Sequence, residues 1–325
     1  MGLATLEGDA VNTLPLITLL LLTANAAPRP TVIVVTGAPG NEEYGAMFDE
    51  WASRWEKAAG EAEADIIRIG ETRQDALTDR DILRQHLEQL DKQQTSTLWL
   101  VLIGHGTYDG RQAKFNLNGP DISAEEFVAW LESVEMPTAV INCASSSGPF
   151  INKLSGPNRV VVTATKSGSQ YNFARFGDYI SNAIADEKAD LDKDNQTSLL
   201  EAFLSASAGV AEFYQEDARL ATEHSLLDDN GDALGTPADW FRGFRAVRLA
   251  KEGAQPDGHR ANQFVLVPRG AEADISVEVH RQREALESQV EELRRKKDQM
   301  DEAEYYHQLE SLFVELAMLY RDTEQ

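Results

Sequence analysis

The sequence predicts an α/β fold, a mostly parallel sheet with helices on both faces, followed by a C-terminal helical hairpin. Short β-branched runs alternate with longer amphipathic stretches from Thr31 to about Ala250, the pattern of βαβ units. The short runs are continuously apolar, as strands covered on both faces are. After Ile275 the chain turns to Glu, Arg, Gln and Leu at helical spacing.

Taken in order, Thr31 to Val35 reads as a buried strand, Tyr44 to Ala59 as a helix and Asp65 to Ile69 as a strand. Thr78 to Lys92 reads as a helix that Thr78 can cap, because a threonine hydroxyl there accepts an otherwise orphaned backbone N–H. Leu98 to Ile103 is the next buried strand, Ala124 to Val134 a helix, Thr138 to Asn142 and Arg159 to Thr165 strands, and Phe176 to Ala185 a helix. Gly253 to Gly258 breaks the pattern before a short strand at Phe264 to Val267. Leu286, Val290 and Leu293 then mark one helical stripe, and Leu309, Leu312, Leu316 and Leu319 a second, with Asp301 between them as a cap. Two antiparallel helices follow, pairing with each other and docking on the sheet domain or on a second copy or partner. The resulting divisions are residues 1–26, 27–250, 251–272 and 273–325.

Composition bounds the function. With 325 residues, 42% of them hydrophobic, the chain can bury a large core. Its 30 Lys and Arg against 54 Asp and Glu give a net charge of −24, which repels phosphate backbones and sets nucleic acid aside as a partner. Leu14 to Leu22 is an apolar run too short to span a bilayer, and Ala24-Asn25-Ala26 makes a small-residue cleavage site, so residues 1–26 read as a signal peptide. Export to the periplasm or beyond follows, with no membrane span once the signal is removed. Glu7 and Asp9 stand where such signals carry Lys or Arg.

Two residues suited to nucleophilic catalysis fall at the carboxyl ends of apolar strands, where ligands collect in an open parallel sheet. His105 follows Ile103 within Gly104-His105-Gly106, and Cys143, the only cysteine, follows Asn142 and precedes Ala144-Ser145-Ser146-Ser147-Gly148. A thiolate is a good nucleophile and an imidazole can activate it. A lone cysteine is also often a small buried hydrophobe.

The order of apolar strand, His-Gly, apolar strand and Cys resembles the dyad of the caspase-like cysteine peptidase clan, which includes caspases, legumains, clostripain and gingipains. Val160 to Ser167 is similar to the strand after the nucleophile in the legumain-like group. The resemblance implies a caspase-hemoglobinase-like fold over roughly residues 31 to 225 and a peptide or protein substrate. It implies Cys143 as nucleophile, His105 as acid–base partner, and the backbone amides of Gly106 and Cys143 as oxyanion donors. Ile141-Asn142 stands before Cys143 where the family has Glu-Ala or Gln-Ala.

A separate pattern lies downstream. Asp190, Asp192, Asp194, Asn195, Ser198 and Glu201 occupy offsets 1, 3, 5, 6, 9 and 12 of an EF-hand-type loop, with the Gln196 carbonyl at offset 7. That set of hard oxygens fits calcium, here in a structural role, through Asp190, Asp192, Asp194, Gln196 and Glu201. Asn195 takes the place of the turn glycine, which its tolerance of left-handed backbone permits. Asp228-Asp229-Asn230-Gly231-Asp232 has only partial spacing, and Pro237 interrupts any exiting helix, so it reads as a plain turn. The leading expectation is an exported cysteine endopeptidase, or a related acyl transferase, working through a thioester and carrying a calcium ion. The alternative is a catalytically inactive caspase-like binding module in a protein assembly.

Overall fold

Strand residues that alternate toward two apolar layers build one central sheet. The computed structural model describes residues 28–70, 77–90, 95–251, 255–270 and 275–323; the expected signal peptide lies outside them. In chain order come β1 (Arg29–Thr36), α1 (Glu42–Glu61), β2 (Asp65–Ile69), α2 (Asp79–Gln89) and β3 (Thr95–Ile103). A small antiparallel sheet follows from β4 (Gly106–Tyr108), β5 (Ala113–Phe115) and β6 (Ile122–Ser123). Then come α3 (Ala124–Leu131), β7 (Thr138–Asn142), α4 (Ile151–Leu154), β8 (Arg159–Thr163), α5 (Phe176–Ala183) and α6 (Leu199–Glu216). The edge strands β9 (Leu226–Asp228) and β10 (Thr236–Pro237), a two-residue ribbon of β11 (Phe241–Arg242) and β12 (Arg245–Ala246), and the helices α7 (His259–Gln263), α8 (Val277–Lys296) and α9 (Glu302–Thr323) complete the chain.

The main sheet has the order β10-β9-β8-β7-β3-β1-β2. The five strands from β2 to β8 pair in parallel, and β9 and β10 close one edge antiparallel. Val32 and Val34 of β1, Trp99 and Val101 of β3, and Ala139 and Ile141 of β7 bury against α1, α5 and α6. The alternate residues Ile33, Val35, Leu98, Leu100 and Val140 bury against α2, α3 and α4. Residues one apart on a strand face opposite sides, so a continuous apolar run serves both layers.

The cap residues behave as their chemistry dictates. Thr78 accepts the Asp81 N–H at the start of α2, and Asp301 Oδ1 accepts the N–H groups of Ala303 and Glu304 at the start of α9. Asn41 does the same for α1, whose first turn carries Glu42 and Glu43 at the positive end of the helix dipole. Phe264 to Val267 is not a strand. It is held by a single bridge between Ser198 and Val265 and by the Leu199 N–H donating to the Phe264 carbonyl, and Phe264, Leu266 and Val267 fill the layer beneath α6. The C-terminal helices pair through buried Val290, Leu293 and Tyr305. Helix α8 also meets the sheet domain, where Gln263 Nε2 donates to Glu287 Oε2 (3.2 Å) and His259 Nε2 lies 3.3 Å from Ser288 Oγ. Among the described residues no helix is long and apolar enough to cross a membrane.

Candidate functional site at the ends of β3 and β7

The strand order reverses between β1 and β3, and ligands in doubly wound sheets enter at such a point. Here that crevice is filled. Gly37 follows β1 and donates to the Ile103 carbonyl, and a Cβ at Gly37 would sit 2.3 Å from the Asn116 carbonyl oxygen and 3.1 Å from the Phe115 ring. The hairpin of β4 and β5 therefore caps the switch point. A cavity of about 900 Å³ lies one strand further out and is lined by Thr36, Pro39, Asp49, Arg68, Thr78 and Asn118 among others. Neither His105 nor Cys143 borders it.

His105 leaves β3 toward α1. Its ring packs edge-on to Tyr44 (centroids 5.0 Å) and Phe48 (5.3 Å), with Phe173 at 5.9 Å. Nε2 donates to the Pro39 carbonyl at 3.2 Å. A carbonyl only accepts, so Nε2 carries the proton and Nδ1 is the basic nitrogen.

Cys143 lies in the same layer as Phe48 and Trp51. Its thiol belongs to a residue 1% exposed. Glycine at 177 permits this: a Cβ there would lie 2.6 Å from the Trp51 ring and 3.0 Å from the Cys143 Cβ. Burial first, and then the negative charge of Glu223, push the thiol far above its ordinary range. Glu223 is itself 3% exposed and accepts the N–H groups of Arg175 and Phe176 at the start of α5 and the Tyr214 hydroxyl. Burial raises its pKa, while those hydrogen bonds work the other way.

His105 and Cys143 thus face one aromatic layer, but no hydrogen bond joins them. The two amides expected to serve an oxyanion are engaged. The Cys143 N–H donates to the Leu102 carbonyl at 2.9 Å, and the Gly106 N–H donates to Ser145 Oγ at 3.2 Å. Ser145 Oγ in turn donates to the Gly106 carbonyl, tying the loop after β7 to the one after β3.

Residues to which the sequence assigned no role also shape this site. Ser146 is buried in the left-handed region (φ 54°), and its Oγ has no partner among the described residues. Asn142 Oδ1 accepts the Ala144 N–H, while Nδ2 is also without a partner. A run of three serines after an apolar strand was the available signal. Glu223 and Phe173 gave none, because they reach the site only through the packing of α5.

Of the five residues expected to hold an ion in the acidic loop, the structure draws together three. Asp190, Asp192 and Asp194 bring one carboxylate oxygen each within 4.8 Å of one another. Asn195 is left-handed at φ 69°. Asp190 accepts from the amides of Lys193 and Asn195, and Asp194 from that of Gln196. Burial, then the charges of Asp194, Glu201 and Asp190, push Asp192 up to about 6. Glu201 is buried and takes the amides of Leu191, Asp192 and Ser198 while closing a capping box with Ser198 at the start of α6. The Gln196 side chain exchanges hydrogen bonds with the Arg269 backbone (2.9 and 3.0 Å), anchoring the loop to the segment after α7.

No protein-family model and no curated protein matches the chain. Among solved structures it is similar to the Drosophila initiator caspase Dronc, at 15% identity over 55% of this chain and 72% of that one, with a TM-score of 0.38. It is also similar to caspase-1 from Spodoptera frugiperda, at 9% identity over 62% of this chain and 86% of that one, with a TM-score of 0.42. For drICE the identity is 11% over 58% and 85% of the two chains, with a TM-score of 0.37. These are caspases; nearness to the legumain-like group rests on the sequence resemblance alone.

Proposed function

We propose that this chain is an exported, caspase-like protein-interaction module in which Cys143 is a core thiol, with calcium held structurally by the loop at 190–201. The burial of Cys143 carries this reading. A nucleophilic cysteine needs a lowered pKa and access, and here apolar packing and the Glu223 carboxylate act in the opposite direction. In the metal loop Asp190, Asp192 and Asp194 would supply the first oxygens, the Gln196 carbonyl and Glu201 the rest. A divalent cation there would remove the repulsion among them. Partner contact falls to α9, where Tyr306, Phe313, Val314 and Met318 stand about half exposed, through a second copy or another protein.

The test is to incubate the purified protein, with calcium, against a peptide library read by mass spectrometry, and to label it in parallel with iodoacetamide. The expected result is no cleavage and labelling at least about a hundredfold slower than for free cysteine until the chain unfolds. Cleavage that Cys143→Ala abolishes would establish the second reading, a cysteine endopeptidase using His105 and Cys143. That reading draws on one observation, the shared aromatic layer that both side chains face.

A further inference from the structure

The loop joining β9 to β10 contains four carboxylates in its immediate surroundings, and they divide into two kinds. Asp229, 3% exposed, accepts the Gly258 N–H on one oxygen and the Ala261 N–H on the other. Asp257 accepts the amides of Asp229 and Asn230 on Oδ1 and the Thr236 hydroxyl on Oδ2. These two are structural pins, with every oxygen engaged.

Asp228 and Asp232 are each satisfied on one side only. Asp228 Oδ1 accepts from Ser155 Oγ (3.1 Å) and the Gly231 N–H (3.2 Å), and Asp232 Oδ1 accepts the Leu234 N–H (2.8 Å). Oδ2 of each is buried and has no partner among the described residues, and Asp228 is wholly buried. Among the described residues no Lys or Arg forms an ion pair with either. Two unpartnered carboxylate oxygens in one five-residue turn, shielded from water, are far more costly than a single orphaned hydroxyl. Protonation removes the charge but leaves the resulting O–H without an acceptor. A hard cation held between them would take the oxygens as ligands and cancel their charge.

We infer that the turn at 228–232 is a second divalent-cation site, for which Asp228 Oδ2 and Asp232 Oδ2 are the carboxylate ligands and calcium is the fitting ion. Oxygen-only donors on an irregular turn suit calcium's flexible coordination better than magnesium's strict octahedron. The ion would clip the β9–β10 hairpin to α4, which already meets it through Asn152 Nδ2 on the Ala233 carbonyl (2.8 Å). The sequence hides the site because Asp228 and Asp232 are too few for a recognisable loop pattern. Their burial is the telling property.

The experiment is equilibrium dialysis with radioactive calcium at about 1 mM free ion, the upper range for extracellular modules. The parent, Asp232→Asn, Asp192→Asn and the double variant are compared. Asp232→Asn keeps the oxygen that accepts the Leu234 N–H, and circular dichroism verifies its fold. The expected stoichiometries are two, one, one and none. An Asp232→Asn protein that retains as many ions as the parent overturns the second site. If instead the loop at 190–201 is the empty one, the parent binds a single ion that Asp232→Asn loses and Asp192→Asn keeps.

Discussion

The ends of β3 and β7 and the turn between β9 and β10 are both buried sites with unpartnered polar atoms, but those atoms differ in charge. After β7 they are an amide and a hydroxyl, Asn142 Nδ2 and Ser146 Oγ, beside a thiol that burial keeps neutral. Between β9 and β10 they are carboxylate oxygens. A neutral orphan costs about 1–3 kcal/mol and can simply be tolerated, whereas a buried charge must find a counter-charge or a proton. The residues that look catalytic therefore sit where nothing further is needed. Those that look like a turn sit where a counter-charge would stabilise the fold.

The largest effect that tests this contrast is on pH dependence. Burial, with the charges of Asp232 and Asp229, pushes Asp228 up to about 6, against 3.8 for an ordinary aspartate. Its folded-state pKa is raised, so between those values the native state binds more protons than the unfolded one and stability falls as pH rises through about 6. In chelator Asp228 should contribute roughly 3 kcal/mol of that loss between pH 4 and pH 7, read by denaturant titration of the parent against Asp228→Asn. Calcium should flatten the slope, and a chelated protein equally stable at both ends would show the carboxylate to be already compensated.

Slightly smaller is the gain from calcium itself. At a hundredfold excess over the dissociation constant, each occupied loop adds about 2.7 kcal/mol. Thermal melts of the parent and of Asp232→Asn, with calcium and with chelator, should differ by one such step.

On the other side of the comparison, Gly177→Ala would force a methyl group into the Trp51 ring and the Cys143 Cβ. The expected cost is about 2 kcal/mol, seen as a lower midpoint in urea. A neutral outcome would mean that α5 yields easily, and with it the shelter around the thiol. Smallest of all, Cys143→Ala should cost about 1 kcal/mol through lost packing alone and leave calcium binding unchanged.

Local signals were legible in the sequence and distant ones were not. Thr138–Asn142 was readable to the residue, because a five-residue β-branched run between polar ends leaves one reading. Thr78 and Asp301 were readable as caps, because a cap is settled within three residues. The strands β4 to β6 and β9 to β10 are two or three residues long and carry no periodicity. The segment Phe264 to Val267 was apolar enough for a strand, but its carbonyl met the start of α6 instead. At the site, His105 and Cys143 were found from their position after apolar strands. The shelter that closes over Cys143 comes from Gly177 and Glu223, whose part is settled only when α5 packs on α1.

The sheet ends at β10, a two-residue strand whose second member is Pro237. Proline has no N–H to offer a further strand, and so short an edge gives an incoming chain almost no ladder to extend. This side of the molecule is thereby protected against fibre-like growth by strand addition. Contact between copies on this side is left to side chains rather than to backbone hydrogen bonds.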